Sequence, residues 1–347
     1  MSWRAVVAAT LVATIAPAGA APFVPPAAPD GGGPIGALWR TVVGELEAAS
    51  AARRPALVPP VKLAVSWRPR RLTSLDLGSA LLALAAADLD GDGADELVAL
   101  TEQHLIVLAP AGKGLRERRR VAVPAESPSV RPRDPVGVIA VVARPGGAEV
   151  LARTSTSARG ARYQWRDGGL VEVGPVAGFP LCPDRVVELA AGRNYATVDG
   201  VDLWTAQCRL GLVDPAGRPL AVTATVTTGG ALTAVAETRC GPAEPGCRAT
   251  TVGTLDGVGT ALAVDDVDRD GWPEVIVAGA GAPGQPDAVA VYGLTADGFA
   301  KKPRFRRGFS GGVVAVAAGD VDGDGDREVF AAVRLAGARK VDLWLLD

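Results

Sequence analysis

A single histidine, His104, is present in 347 residues. Histidine-rich zinc sites are therefore excluded, and any Ser-His-Asp or Cys-His mechanism would have to run through that one side chain. Lysine is scarce as well, supplying only residues 62, 113, 301, 302 and 340 of the 36 basic positions. Together with abundant alanine and proline this is the bias that GC-rich coding produces, so alanine is discounted as a helix signal. Net charge is nearly absent: 38 acidic against 36 basic side chains leave −2, which argues against nucleic acid or another general polyanion as partner. Disorder is excluded too, because 48% of the residues are hydrophobic and only 21% charged, enough apolar surface to bury a core. A membrane-spanning run is also lacking at the N-terminus, where the apolar stretch Ala5–Ile15 falls short of the roughly 20 residues that cross a bilayer.

That stretch instead has the features of an export signal. Residues 1–20 carry one basic residue (Arg4), the apolar run, Pro17, and the small-residue ending Ala18-Gly19-Ala20 that signal peptidase favours. The expectation is an exported chain, periplasmic or extracellular, with no integral membrane span. No cysteine follows the cleavage region until Cys182, which disfavours a lipid anchor. Export makes Cys182, Cys208, Cys240 and Cys247 candidates for disulfides. The short loop GPAEPG between Cys240 and Cys247 suits a local bridge, leaving Cys182 with Cys208. After a Pro/Gly-rich spacer (21–33), residues 34–57 hold an amphipathic helix and linker: Ile35, Leu38, Trp39, Val42, Val43 and Leu46 share one helical face.

What the rest of the chain has is internal repetition. The pattern D-x-D-x-D-G-x-x-E occurs three times: Asp88, Asp90, Asp92, Gly93, Glu96; Asp266, Asp268, Asp270, Gly271, Glu274; and Asp320, Asp322, Asp324, Gly325, Glu328. Each copy sits between Ala/Val/Leu-rich runs such as LLALAAAD and ELVAL, which read as strand, acidic turn, strand. The long interval from the first copy to the second should hide repeats that lost their acids. One is visible in VVARPGGAEV (141–150), where Gly146 and Glu149 keep the sixth and ninth positions while Val141, Ala143 and Pro145 replace the aspartates. The echo VDLW, at Val201–Trp204 and Val341–Trp344, places a later strand of two repeats in register. Two further degenerate units between Arg185 and Gly257 bring the count to six. Short strands in repeats of about 40 to 50 residues point to propeller blades. The fold class expected over 58–347 is all-β, a β-propeller of six (alternatively seven) blades preceded by a short N-terminal helix. VKLAVSW (Val61–Trp67) alternates as an early strand, suited to completing the last blade and closing the ring.

Alternate aspartates, a glycine at the sixth position and a carboxylate at the ninth form a hard-oxygen cage of the kind calcium takes. An EF-hand shares the first six positions but needs a bidentate Glu at the twelfth between two helices. Here the twelfth positions are Ala99, Val277 and Ala331. Magnesium, which keeps several waters in an octahedral shell, suits an all-protein cage less well.

On these loops and their leads, LGSALLALAAADLDGDGADELVAL (77–100) and FSGGVVAVAAGDVDGDGDREVFAAV (309–333), the chain resembles the FG-GAP/VCBS repeat proteins, relatives of the integrin α-subunit propeller. The resemblance implies a β-propeller with up to three calcium ions. Their ligands would be Asp88, Asp90, Asp92 and Glu96; Asp266, Asp268, Asp270 and Glu274; and Asp320, Asp322, Asp324 and Glu328. Glu at the ninth position departs from the Asp common in integrins. Calcium that staples blades is favoured over a catalytic metal, because four carboxylates overcompensate a divalent ion and leave no evident open position for a substrate.

No acid/base pair stands out elsewhere. Glu149, Asp202 and Tyr163 are isolated, and His104 reads as a structural residue on the strand after the first loop. The basic clusters Arg116 with Arg118–Arg120, and KKPRFRR (301–307), read as solvated outer strands or loops in preference to a grip on acidic glycans or a membrane surface. The function expected is a non-catalytic binding or scaffold module for an envelope or extracellular protein or glycan. The alternative is a calcium-dependent polysaccharide lyase or hydrolase.

Overall fold

Small apolar side chains dominate the strands that begin each repeat, and small side chains let backbones approach closely around an axis. In the computed structural model, the described residues are 62–347 without 113, 125–131, 145–146, 158, 183–184, 190–191, 194, 240–247, 283 and 336–339. The expected signal, spacer and helix, and Cys240 with Cys247, lie outside them.

In chain order the strands are β1 (Pro69–Asp76), β2 (Leu81–Ala87), β3 (Glu96–Thr101), β4 (His104–Ala111), β5 (Gly114–Ala122), β6 (Gly137–Arg144), β7 (Gly147–Thr154), β8 (Gly160–Arg166) and β9 (Gly169–Val176). Then come β10 (Phe179–Cys182), β11 (Arg185–Leu189), β12 (Ala196–Val198), β13 (Val201–Val213), β14 (Pro219–Thr227), β15 (Leu232–Arg239) and β16 (Arg248–Leu255). The last are β17 (Val258–Asp265), β18 (Glu274–Gly279), β19 (Asp287–Thr295), β20 (Gly298–Phe299), β21 (Phe305–Phe309), β22 (Gly312–Gly319), β23 (Glu328–Arg334) and β24 (Lys340–Leu346). Among the described residues there is no helix, hence none long and apolar enough to cross a membrane.

The strands form five antiparallel sheets, which are the blades of a propeller: β2–β5, β6–β9, a seven-stranded sheet β10–β16, β17–β21, and β22–β24 with β1. One strand from each sheet lines the central axis, contributing Leu82–Leu84 of β2, Gly137–Ile139 of β6, Thr205–Gln207 of β13, Thr260–Leu262 of β17 and Val314–Val316 of β22.

Each blade is buried on both faces, which explains why its middle strands read as unbroken apolar runs. In β3, Leu97 and Ala99 pack toward the β22 blade with Phe330 and Leu343, whereas Val98 and Leu100 pack toward the β6 blade with Val150 and Tyr163. β18 divides in the same way, Val275 and Val277 joining Val222 and Leu232, and Ile276 and Ala278 joining Val316 and Val329.

The count of five corrects the expected six or seven. Two degenerate units are expected between Arg185 and Gly257, whereas the segment 179–198 makes no sheet of its own. Its strands hold four, five and three residues, none lines the axis, and they extend the sheet of β13 instead. Phe179, Val187 and Leu189 then fill the space between this sheet and Leu151 of β7. The VDLW echo is also corrected: Val201–Trp204 opens the axial strand β13, whereas Val341–Trp344 lies in β24, two strands out from the axis.

Ring closure follows the expectation with a shift in sequence. The strand that completes the last blade is β1, paired antiparallel with β24 from Pro69↔Leu346 to Asp76↔Lys340. Of VKLAVSW, the described residues 62–67 lie before it and form no strand. Its Leu63 N–H donates to the Asp268 carbonyl at 2.6 Å, and Trp67 stacks on Phe305 with ring centroids 5.3 Å apart. No free cysteine occurs among the described residues, Cys208 being disulfide-bonded.

Candidate metal centre

The three acidic segments occupy one topological position, the link from the axial strand to the next: β2 to β3, β17 to β18 and β22 to β23. Their internal hydrogen bonds repeat residue by residue. The first aspartate accepts from the backbone N–H of the sixth-position glycine: Gly93 to Asp88 at 3.1 Å, Gly271 to Asp266 at 2.9 Å and Gly325 to Asp320 at 3.0 Å. The fifth accepts from the seventh: Ala94 to Asp92, Trp272 to Asp270 and Asp326 to Asp324. The ninth-position glutamate accepts from the second: Leu89 to Glu96, Val267 to Glu274 and Val321 to Glu328. The sixth-position glycines have φ of 97°, 84° and 94°, a left-handed backbone that glycine adopts without steric cost. The twelfth positions, Ala99, Val277 and Ala331, are buried in strands, so the helical flanks of an EF-hand are replaced by sheet.

The carboxylates converge to different degrees. In the loop Asp320–Glu328 one oxygen from each of Asp320, Asp322, Asp324 and Glu328 lies within 4.8 Å of the others. The first loop gathers Asp88, Asp90 and Glu96, and the second Asp266, Asp268 and Glu274, leaving Asp92 and Asp270 apart. Burial, reinforced by the neighbouring aspartates, pushes Glu274 up to about 9 and Glu328 up to about 7. Burial also raises Asp266 to about 6, against the opposing hydrogen bond from Gly271.

Basic side chains enter two of the loops. Arg118 of β5 donates through Nη1 to Glu96 and through Nη2 to Asp90 at 2.8 Å. Arg304 donates through Nη1 to Asp268 and Glu274 and through Nη2 to Asp270 at 3.3 Å. Lys62 Nζ lies 2.9 Å from Asp268 and 3.0 Å from Asp270. Among the described residues no basic nitrogen lies within ion-pair distance of Asp320, Asp322, Asp324 or Glu328. The four-oxygen donor set of that loop fits the calcium that the resemblance implies. The other two have part of their oxygens already taken by nitrogen donors and do not fit it.

Sequence reasoning missed these cations. Arg118 and Arg304 were read within surface clusters, and they lie 22 and 30 residues beyond the glutamates they meet. No local spacing announces them. The signals that bear on them are a glycine opposite the loop, Gly293 paired with Glu274, and an aromatic on the next blade, Trp165.

The degenerate repeat has the expected glutamate in an unexpected register. Val142 pairs with Glu149 as Ala87 pairs with Glu96, Asp265 with Glu274 and Gly319 with Glu328. Seven positions separate the first pair where nine separate each of the others, so this link is two residues shorter than the acidic ones. The assignment of Val141, Ala143 and Pro145 to the aspartate positions is thereby corrected. Glu149 is buried, with Arg162 Nη1 at 3.7 Å.

The remaining singled-out residues are not brought together. Tyr163 packs in the core between two blades, with burial pushing its hydroxyl pKa upward, and Asp202 is exposed at the start of β13. His104 begins β4 half-buried, its N–H donating to Thr101 Oγ1 at 2.9 Å.

Against known proteins, the FG-GAP-like repeat family matches residues 266–331, which run from the second acidic loop through the third into β23. Among curated proteins none matches the sequence. The chain is similar to one in the crystal structure of the S. cerevisiae core factor, at 9% identity and TM-score 0.37, over 86% of this chain and 63% of that one. It is also similar to the WD40 domain of SCAP from fission yeast, at 8% identity and TM-score 0.30, over 73% of this chain and 67% of that one. Both likenesses are too distant to bear on function. The repeat match and the five blades with their shared loop position agree: the chain is a β-propeller that carries FG-GAP-like repeat sequence over residues 266–331.

Proposed function

We propose that the protein is an exported, calcium-stabilised platform that binds a protein or glycan of the cell envelope without transforming it. The observation that carries this reading is the loop Asp320–Glu328, whose four carboxylates gather within 4.8 Å in an oxygen-only set with a glycine-turned backbone. Calcium there would fix the β22–β23 link of the blade that β1 completes, a structural role. An FG-GAP propeller supports binding or scaffolding in general. The N-terminal signal pattern supports export. The rim strands β5 and β21 expose Arg116, Arg119, Arg306 and Arg307, charges that keep blade edges from pairing with other chains and are available to an acidic partner.

The test is retention of envelope polysaccharides and proteins by the purified chain, in calcium and in chelator, followed by reconstitution with the purified partner. The reading expects one partner held intact, with binding weakened in chelator and in Asp320→Asn/Asp324→Asn. Calcium-dependent release of oligosaccharide products would overturn it in favour of a polysaccharide lyase or hydrolase. A mature chain that retains residues 1–20 would overturn the export reading.

A further inference from the structure

We propose that the loops Asp88–Glu96 and Asp266–Glu274 are held by the chain's own guanidinium groups in place of calcium, so that the propeller takes up one ion rather than three. The inference rests on the calcium reading of Asp320–Glu328 for that one ion, and on independent geometry for the other two loops.

Each guanidinium is held by more than the acids it meets. Arg118 lies 4.5 Å from the centroid of Trp165, which belongs to the neighbouring blade, so a cation–π contact adds to the hold of the carboxylates. Arg304 fills a notch that only a glycine leaves: a Cβ on Gly293 would fall 2.6 Å from its Nε and 2.8 Å from its Cζ and Nη2. Its backbone is anchored as well, the Arg304 N–H donating to the Val291 carbonyl at 2.8 Å. The planar fork of an arginine matches paired carboxylates, and it is always charged. Calcium needs about six to eight oxygens at roughly 2.3–2.6 Å. In the first loop Arg118 takes oxygens of Asp90 and Glu96. In the second, Arg304 and Lys62 take oxygens of Asp268, Asp270 and Glu274. Each loop keeps one buried carboxylate oxygen without a partner, Asp90 Oδ1 and Asp266 Oδ1, a single acceptor where an ion would need several. At the third loop, Arg269 lies beside Gly325 and Arg327 of the loop itself pairs outward with Asp265 and Asp95; among the described residues neither makes an ion pair with Asp320, Asp322, Asp324 or Glu328.

The deciding experiment counts calcium ions on the intact chain by native mass spectrometry, with terbium luminescence as a second readout. The expected result is one ion on the wild type, lost in Asp320→Asn/Asp324→Asn and kept in Asp88→Asn and in Asp266→Asn. Arg118→Ala should gain a second ion, and Asp88→Asn in that background should remove it. Three ions on the wild type, or a lower count in Asp88→Asn or Asp266→Asn, overturns the proposal without requiring any arginine variant to fold. A folded Arg118→Ala chain that gains no ion also overturns it. A wild type that binds none sinks the calcium reading of Asp320–Glu328, and the gain in Arg118→Ala then still judges the guanidinium inference alone.

Discussion

Arg327 donates from Nε to Asp265 Oδ2 at 2.7 Å, joining the β22–β23 loop to the end of β17 on the neighbouring blade. The same guanidinium reaches Asp95 Oδ2 through Nη2 at 3.3 Å, on the blade at its other side. One side chain thus spans three blades around the one that closes the ring. Asp265 is 2% exposed, and its other cation, Arg209 Nε, is 3.4 Å away. Removing one partner of a buried ion pair leaves the other charge uncompensated, at a cost of about 3–5 kcal/mol. Arg327→Met should therefore lower unfolding free energy by about 3 kcal/mol, the low end because Arg209 remains. Urea denaturation measures it, and Arg327→Met/Asp265→Asn should recover part of the loss. Equal stability of Arg327→Met and wild type would show that the span does not hold the blades.

Gly319 sets how closely two axial strands approach. A Cβ there would fall 2.3 Å from Ala86 Cβ and 2.6 Å from Asp95 Oδ2. Overpacking at such a contact typically costs about 1–3 kcal/mol, which is the expected loss in Gly319→Ala. Gly281 has open space around its Cβ position, so Gly281→Ala should stay within about 0.5 kcal/mol of wild type. Thermal melting of the pair separates a packing effect from a general cost of losing glycine.

Arg269 carries a backbone strain that its counterparts avoid. It occupies the fourth loop position with φ of 53°, where the other loops have Gly91 and Gly323 at 80° and 75°. A left-handed conformation costs a side-chain-bearing residue about 1–2 kcal/mol, partly offset by the greater entropy glycine loses on folding. Arg269→Gly is therefore expected to stabilise the fold by about 0.5–1 kcal/mol. A lower melting temperature would mean that the guanidinium beside Gly325 contributes more than the strain costs.

The parts of this architecture visible in sequence are those encoded locally. The acidic loops and their flanking strands are contiguous, so Asp88–Glu96 with LLALAAAD and ELVAL announces a whole β2–β3 hairpin. Contacts between distant positions were not visible. Blade number depended on whether 179–198 made its own sheet or widened that of β13, a choice settled by Phe179 and Val187 packing against Leu151 from another blade. The shortened link before Glu149 keeps a recognisable glycine and glutamate while losing two residues, a change that only strand register reveals. Arg118 and Arg304 resemble any other arginine of a basic rim until the fold brings them to the carboxylates.

Chelation should destabilise the propeller by an amount that reports one binding site. A ligand that binds only the native state adds RT ln(1 + [L]/Kd), about 2.7 kcal/mol at a hundredfold excess over Kd. Domains of about 150–250 residues shift roughly 2–4 °C per kcal/mol, so calcium at that excess should raise the melting temperature by roughly 5–10 °C over chelator. Three equivalent sites would give about three times that increment. The carboxylates of Asp320, Asp322, Asp324 and Glu328 supply the whole effect in this reading, because Arg118 and Arg304 already neutralise part of the charge in the other two loops. Asp320→Asn/Asp324→Asn should therefore melt at one temperature in calcium and in chelator, while Asp88→Asn keeps the wild-type increment. Scanning calorimetry at several calcium concentrations checks the size and the saturation. Identical curves for the wild type in calcium and in chelator would remove calcium from the account of this fold.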